Sequence, residues 1–158
     1  MKMKLFLSIL FTIIVIGCIG GDVVAVKNGD HVFVDYTGTL DNGTIFDSSI
    51  DREPLEFDVG AGQMIKGFDD AVLGMKVGDE KTVKIKAADA YGEADPRNVI
   101  EVPKQNVPPT VKVGDTLSAG GQPVKVIHVT NTTVTIDTNH PLAGKDLTFK
   151  IKLVKIGK

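Results

Sequence analysis

The sequence predicts an α+β fold that is mainly β: an antiparallel sheet wrapped around one short helix and interrupted by a small β-rich insert. Three observations lead there. Apolar residues alternate with polar ones in several separate stretches, which is the period of a half-buried strand. Only one stretch outside the N-terminal run repeats its apolar residues at helical spacing. The 158 residues include 17 Gly and 7 Pro but no Trp, a turn-rich composition.

The chain opens with Met1-Lys2-Met3-Lys4 and an uncharged run from Leu5 to Gly21, which reads as a basic region followed by an apolar one. Val15-Ile16-Gly17-Cys18 looks like a lipobox, with Cys18 carrying lipid after cleavage; an uncleaved anchor and a buried helix of a soluble domain are the alternatives. The first two readings make residues 1–21 a signal peptide or membrane anchor. They place the rest of the chain at the membrane, on its extracytoplasmic face. Cys18 is the sole cysteine, so no intramolecular disulfide can form.

Next, Val32, Val34 and Tyr36 share one face of a predicted strand, with His31, Phe33 and Asp35 on the other. Asp41-Asn42-Gly43-Thr44 supplies a hairpin turn in which Asn and Gly are expected to take positive φ. Ile45-Phe46 begins the return strand and Phe57-Asp58-Val59 another. Ile65, Phe68, Val72 and Met75 recur at intervals of three and four, predicting a helix over 65–75 that Gly78 stops. Strands are expected at Val124 to Val129 and Thr133 to Asp137, and a Pro-containing linker at Pro103 to Pro109. Leu147, Phe149, Ile151 and Leu153 alternate with polar residues in the cleanest strand, which closes the main sheet. Lys-x-Gly-Asp occurs at 27–30, 76–79 and 112–115 and reads as recurrent turn chemistry, since the flanking residues do not repeat.

Composition excludes several functions. A net charge of −2 from 18 basic and 20 acidic residues argues against a nucleic-acid partner. His31, His128 and His140 are scattered and distant from Cys18, so no metal site is expected. Gly-x-Ser-x-Gly and His-Glu-x-x-His are absent, which weakens a hydrolase reading. The sequons at Asn42 and Asn131 also read as turns and are left unassigned.

Six segments carry a more specific pattern: Asp35-Tyr36-Thr37-Gly38, Gly43-Thr44-Ile45-Phe46-Asp47-Ser48-Ser49, Met64-Ile65-Lys66-Gly67-Phe68, Ala90-Tyr91-Gly92, Asn139-His140-Pro141-Leu142-Ala143-Gly144 and Leu147-Thr148-Phe149. In this order and spacing they resemble the FKBP-type peptidyl-prolyl cis-trans isomerases, and the stretch after Tyr91 is similar to the SlyD-like branch, which carries an inserted chaperone domain. The resemblance covers Val32 to Ile156. It implies an FKBP-like half-barrel at 22–93 and 139–158 and a chaperone-like insert at 94–138.

It also implies a site. Tyr36, Phe46, Asp47, Phe68, Tyr91 and Phe149 would be the catalytic residues, with Phe68 as the floor under the proline ring. Leu55, Met64, Ile65, His140 and Leu142 would contact the substrate, and Tyr91 and the Ile65 N–H would bind its carbonyls. Taken singly, the phenylalanines read as core, the tyrosines as half-buried residues and Asp47 as an Asx turn. Phe68 stands where many eukaryotic members have Trp, so weaker binding of macrolide inhibitors is expected. The chain carries no His- and Cys-rich tail, so nickel handling is not carried over. Substrates would be proline-containing, unfolded or partly folded chains, with no cofactor and a monomeric protein. Ile100, Val102, Val107, Val111 and Ile127 are either the insert's peptide-binding surface or its own core. A non-catalytic holdase with the same cup is the alternative function.

Overall fold

The computed structural model describes residues 24–157, so the leader, with Cys18, lies outside the described residues. Among them the chain forms strands β1 (His31–Leu40), β2 (Ile45–Ser48) and β3 (Leu55–Asp58), helix α1 (Lys66–Val72), and strands β4 (Glu80–Ile85), β5 (Val99–Pro103), β6 (Thr116–Ala119), β7 (Gln122–Val129), β8 (Thr133–Asp137) and β9 (Leu147–Ile156). The mainly β, α+β architecture expected from the alternation is the one observed.

The main sheet runs β2-β1-β9-β4, with β3 also paired to β1, and every pairing is antiparallel. Its centre arises directly from the period-two pattern. Val34, Tyr36, Gly38 and Leu40 of β1 stand opposite Leu153, Ile151, Phe149 and Leu147 of β9, so two apolar faces coincide. Val32, Val34, Leu147, Ile151 and Leu153 are fully buried there, with Phe57, Phe68, Val72 and Ile85 in the same core. Helix α1 packs across this face because Gly67 has no side chain: a Cβ there would overlap Ile85 of β4.

The helix is shorter than its periodicity predicts. It ends at Val72, since Gly74 takes φ +75°, and Met75 reaches the core from the turn beyond it. The β1–β2 turn also differs from expectation. Only Gly43 is left-handed, at φ +82°, while Asn42 accepts the Thr44 N–H through its side chain at 3.0 Å.

The three Lys-x-Gly-Asp turns share one hydrogen-bond pattern. Each Asp carboxylate accepts its own Lys N–H, at 2.8, 2.9 and 2.8 Å for Asp30, Asp79 and Asp115. Each Gly N–H then donates to a backbone carbonyl, of Val59 just beyond β3, Leu153 of β9 or Val126 of β7, and that same residue returns its N–H to the Asp carbonyl. All three partner residues are buried.

A second sheet, β5-β8-β7-β6, lies wholly within 99–137. Its own core is Val111, Val124, Val126, Val134 and Ile136, with Val102, Val107, Leu117 and Val129 packed against it. Of the five apolar residues with two readings, Val102, Val107 and Val111 therefore belong to this core, whereas Ile100 and Ile127 are 43% and 41% exposed. Two of its strands, β5 and β6, were not expected. In Val99–Pro103 the apolar Val99 and Ile100 are adjacent, which breaks the alternation with Val102, and a proline ends the strand; Thr116–Ala119 carries a single large apolar residue, so periodicity registers neither.

Candidate functional site

One face of the main sheet ends in a cavity of about 340 Å³ lined by Tyr36, Phe46, Asp47, Leu55, Gln63, Met64, Ile65, Phe68, Tyr91 and Phe149. β1 contributes Tyr36, β2 Phe46 and Asp47, β9 Phe149, and the entry to α1 with its first turn contributes Gln63, Met64, Ile65 and Phe68. Phe68 lies at the base, with only 2% of its surface exposed, and its ring meets those of Tyr36, Phe57 and Phe149 at centroid distances of 5.8, 5.8 and 5.1 Å. The Tyr36 and Phe149 contacts are close to perpendicular, at 85° and 80°, and Phe46 meets Phe149 likewise at 89°. Edge-to-face contacts of this kind direct ring edges, which carry partial positive charge, toward neighbouring electron-rich groups.

Gly38 makes this packing possible. It sits between Phe149 on β9 and Asp47 on β2 in the sheet. A Cβ there would fall 2.5 Å from the Phe46 ring and 3.0 Å from that of Phe149.

The polar rim is built on Tyr36 and the Asp47-Ser48-Ser49 segment. The Tyr36 hydroxyl donates to Asp47 Oδ2, while Asp47 Oδ1 accepts Arg52 Nη2 and the Ser48 N–H, both at 2.8 Å. Asp47 is thus both a local turn residue and the partner of a cup tyrosine. Ser49 Oγ accepts the Tyr36 N–H at 2.9 Å and Ser48 Oγ donates to the Tyr36 carbonyl at 3.1 Å, so the two serines hold the tyrosine's backbone. Burial above all, then the hydrogen bond to Asp47 and its charge, push the Tyr36 phenol up to about 12. The Tyr36 hydroxyl, more than the Arg52 guanidinium and the Ser48 N–H, holds Asp47 below the usual carboxylate range against a desolvation cost. At neutral pH the rim is therefore a protonated phenol and a carboxylate.

Ile65 has extended backbone, φ −61° and ψ 143°, at the helix entry, and its N–H donates to no backbone carbonyl among the described residues. Tyr91, 42% exposed, lines the cavity at its rim. The other two expected contact residues do not line the cavity. Leu142 packs against the main core, and His140 stacks face to face on Tyr91 and lines a separate cleft formed by the second sheet and the segment that returns from it. Gln63 and Arg52 were not anticipated. Gln63 Oε1 accepts the Asp58 N–H at 2.9 Å, and nothing in its sequence neighbourhood marks it. Arg52 is five residues from Asp47, and only the loop's path brings the two together. Among the described residues no group of three His, Cys, Asp or Glu could hold a metal ion.

Comparison with known proteins agrees with this geometry. The family model described as FKBP-type peptidyl-prolyl cis-trans isomerase matches residues 23–154. A short-type peptidyl-prolyl cis-trans isomerase of Methanocaldococcus jannaschii is 42% identical over 145 residues, covering 81% of this chain and 92% of its own length. A probable FKBP-type 16 kDa peptidyl-prolyl cis-trans isomerase of Pseudomonas fluorescens is 36% identical over 132 residues, with 80% and 88% covered. The FKBP-type peptidyl-prolyl cis-trans isomerase SlyD of Treponema pallidum is 37% identical over 132 residues, with 80% and 75% covered.

Proposed function

The chain belongs to the FKBP-type peptidyl-prolyl cis-trans isomerases, and from that premise we propose how its residues divide the work. The reaction breaks no covalent bond: the X-Pro amide rotates through a twisted state over a barrier of about 18–20 kcal/mol. Every ~1.4 kcal/mol by which the protein favours the twisted state over the planar one is worth a factor of ten in rate. A planar amide owes part of its stability to hydration of its charge-separated form. An apolar cup that strips water away favours the less polar, twisted form.

The proline ring rests on Phe68, between Tyr36, Phe46 and Phe149, with Leu55 and Met64 completing the apolar wall. Ring edges face the rotating carbonyl oxygen, and Asp47, by accepting the Tyr36 hydroxyl, fixes the orientation of that ring at the carbonyl end of the cup. Tyr91 and the Ile65 N–H bind flanking substrate carbonyls and keep the chain on either side from following the rotation. The observation that carries this reading is the cluster of perpendicular rings around a buried floor, with one polar pair at its rim.

The second sheet acts as the insert of the SlyD-like branch and binds unfolded segments, which raises the effective concentration of prolines at the cup. Supporting this are the sheet's separate core and its exposed Ile100 and Ile127. Residues 1–21 tether the protein to the membrane on the extracytoplasmic side, through lipid on Cys18 or as an uncleaved anchor; the support is sequence alone. Substrates are proline-containing unfolded chains, and macrolides of the kind the family binds fit the same cup.

The test is the cis-to-trans rate of a short X-Pro peptide in the presence of the fragment beginning at Gly21. Asp47→Ala and Phe149→Ala are each expected to lower kcat/KM at least about tenfold, as the loss of a charge-assisted hydrogen bond or of a buried ring implies. Full activity in both variants would remove the cup from the mechanism.

A further inference from the structure

The cleft formed by the second sheet and the segment returning from it is bordered by a contact that the cup does not explain. It is lined by Lys125 and Asp137 of the second sheet, by Asn139, His140 and Pro141 of the segment returning to the main sheet, and by Lys145. From this segment the His140 imidazole lies flat on the Tyr91 phenol, with centroids 4.0 Å apart and planes 3° from parallel. Tyr91 is half exposed at the rim of the cup, so packing from its own loop does not immobilise it. The flat ring of His140 supplies the missing wall.

What holds the imidazole is specific to one protonation state. Its Nδ1 accepts the Leu142 N–H at 3.1 Å. An acceptor at Nδ1 requires a lone pair there, so the ring is neutral with its proton on Nε2. Protonation would turn Nδ1 into a donor facing another donor. The hydrogen bond would be lost, and the exposed ring would be free to turn into solvent, although an imidazolium retains some attraction for the phenol face. The backbone of this turn does not depend on the imidazole, because the Ala143 N–H donates to the His140 carbonyl at 2.8 Å. The return segment is anchored separately. The Asn139 side chain accepts the Asp95 N–H and donates to the Asp95 carbonyl and the Asp137 carboxylate, and the Gly144 N–H donates to the Gly92 carbonyl. Titration of His140 therefore acts on the Tyr91 ring and leaves the backbone around it in place.

We propose that His140 is a positioning residue for the isomerase reaction: in its neutral, Nε2-protonated form it fixes the Tyr91 ring at the cup rim, and its protonation releases that ring. The proposal rests on the role of Tyr91 in binding a substrate carbonyl. The charged groups that share the cleft with the imidazole are Lys125, Asp137 and Lys145, and Asp95, beside Asn139, is paired with Arg97. Two lysines oppose protonation and Asp137 favours it.

The experiment is a pH profile of kcat and KM from pH 5 to 8 on an X-Pro peptide, comparing the wild-type fragment with His140→Phe and His140→Ala. The wild-type kcat/KM should fall about two- to tenfold on the acid side, mainly through KM, as expected for the loss of one neutral hydrogen bond. His140→Phe keeps a flat ring without titrating, so it should recover part of what His140→Ala loses, and both variants should lack the acid limb. His31 and His128 remain in both variants, so an acid limb that persists in them overturns the proposal. In parallel, nitrogen NMR of the histidines reads the tautomer directly. A neutral-pH proton on His140 Nδ1, or Tyr91 ring resonances that do not move with the His140 titration, would also overturn it. These NMR results are independent of turnover, so absence of activity in the wild type would count against the isomerase assignment of the cup and not against the His140–Tyr91 coupling.

Discussion

Gly38 has no side chain because two phenyl rings occupy the place where one would go. Its backbone is ordinary strand, so the requirement is steric and not conformational. Gly38→Ala must displace Phe46 or Phe149, and overpacking of this kind costs about 1–3 kcal/mol. The expected result is a lower midpoint in a thermal or denaturant melt together with a loss of peptide isomerisation; a melt shift without an activity change would mean that the rings relax away from the cup. The Tyr36–Asp47 pair makes a second prediction, for pH. The folded-state pKa of Asp47 is depressed, so its contribution to stability is present above the unfolded carboxylate range and is lost as the medium becomes acid enough to protonate it in the fold. Tyr36 is raised from 10.0 to about 12, so its contribution is present below pH 10 and is lost between pH 10 and about 12. Neither group titrates between pH 6 and 9. Tyr36→Phe should therefore flatten part of the alkaline loss in a series of chemical denaturation curves.

The turns decide where strands begin. In each Lys-x-Gly-Asp turn the Asp side chain closes the turn while its backbone is clamped to a buried residue in or just beyond a strand, so the motif fixes where the following strand starts. Asp79→Ala should cost about 1 kcal/mol, the net worth of one such hydrogen bond, and should loosen β4 and β9. Asp115→Ala should cost about the same but be felt in the second sheet, because its clamp is on Val126. Amide hydrogen exchange separates the two: each substitution should speed exchange in its own sheet and leave the other unchanged. The repeated motif was visible in the sequence. The shared clamp was not, because its second half comes from Val59, Leu153 or Val126, which lie 29, 74 and 11 residues from the respective aspartates.

For the molecule as a whole, the central pair of the main sheet joins His31–Leu40 to Leu147–Ile156, with the entire second sheet between them in sequence. Each sheet has its own buried cluster. Replacing 94–138 by a short loop should therefore leave the main sheet folded and the cup active on a short peptide, within about threefold, since shortening a connection changes closure entropy by only ~1 kcal/mol. Catalysis of proline-limited refolding of a protein substrate should fall far more. Equal losses on both substrates would assign the second sheet a structural role and not one in substrate capture.

Alternation and turn chemistry are local, and they identified β1, β9, the β1–β2 hairpin and the single helix from neighbouring residues alone. The order of aromatic motifs likewise marked Tyr36, Phe46, Asp47, Phe68, Tyr91 and Phe149 before any contact was known. Short strands with few apolar residues, such as β5 and β6, stayed hidden because their stability comes from partners across the sheet. Only the tertiary structure could show that Arg52 reaches Asp47, that Gln63 enters the cup, that Gly38 yields space to two rings, and that His140 faces Tyr91 and not the substrate cavity. Each of these depends on the path of the backbone in three dimensions, which a side chain's chemistry does not encode: the loop after β2 for Arg52, the entry to α1 for Gln63, the register of β1 against β2 and β9 for Gly38, and the return from the second sheet for His140.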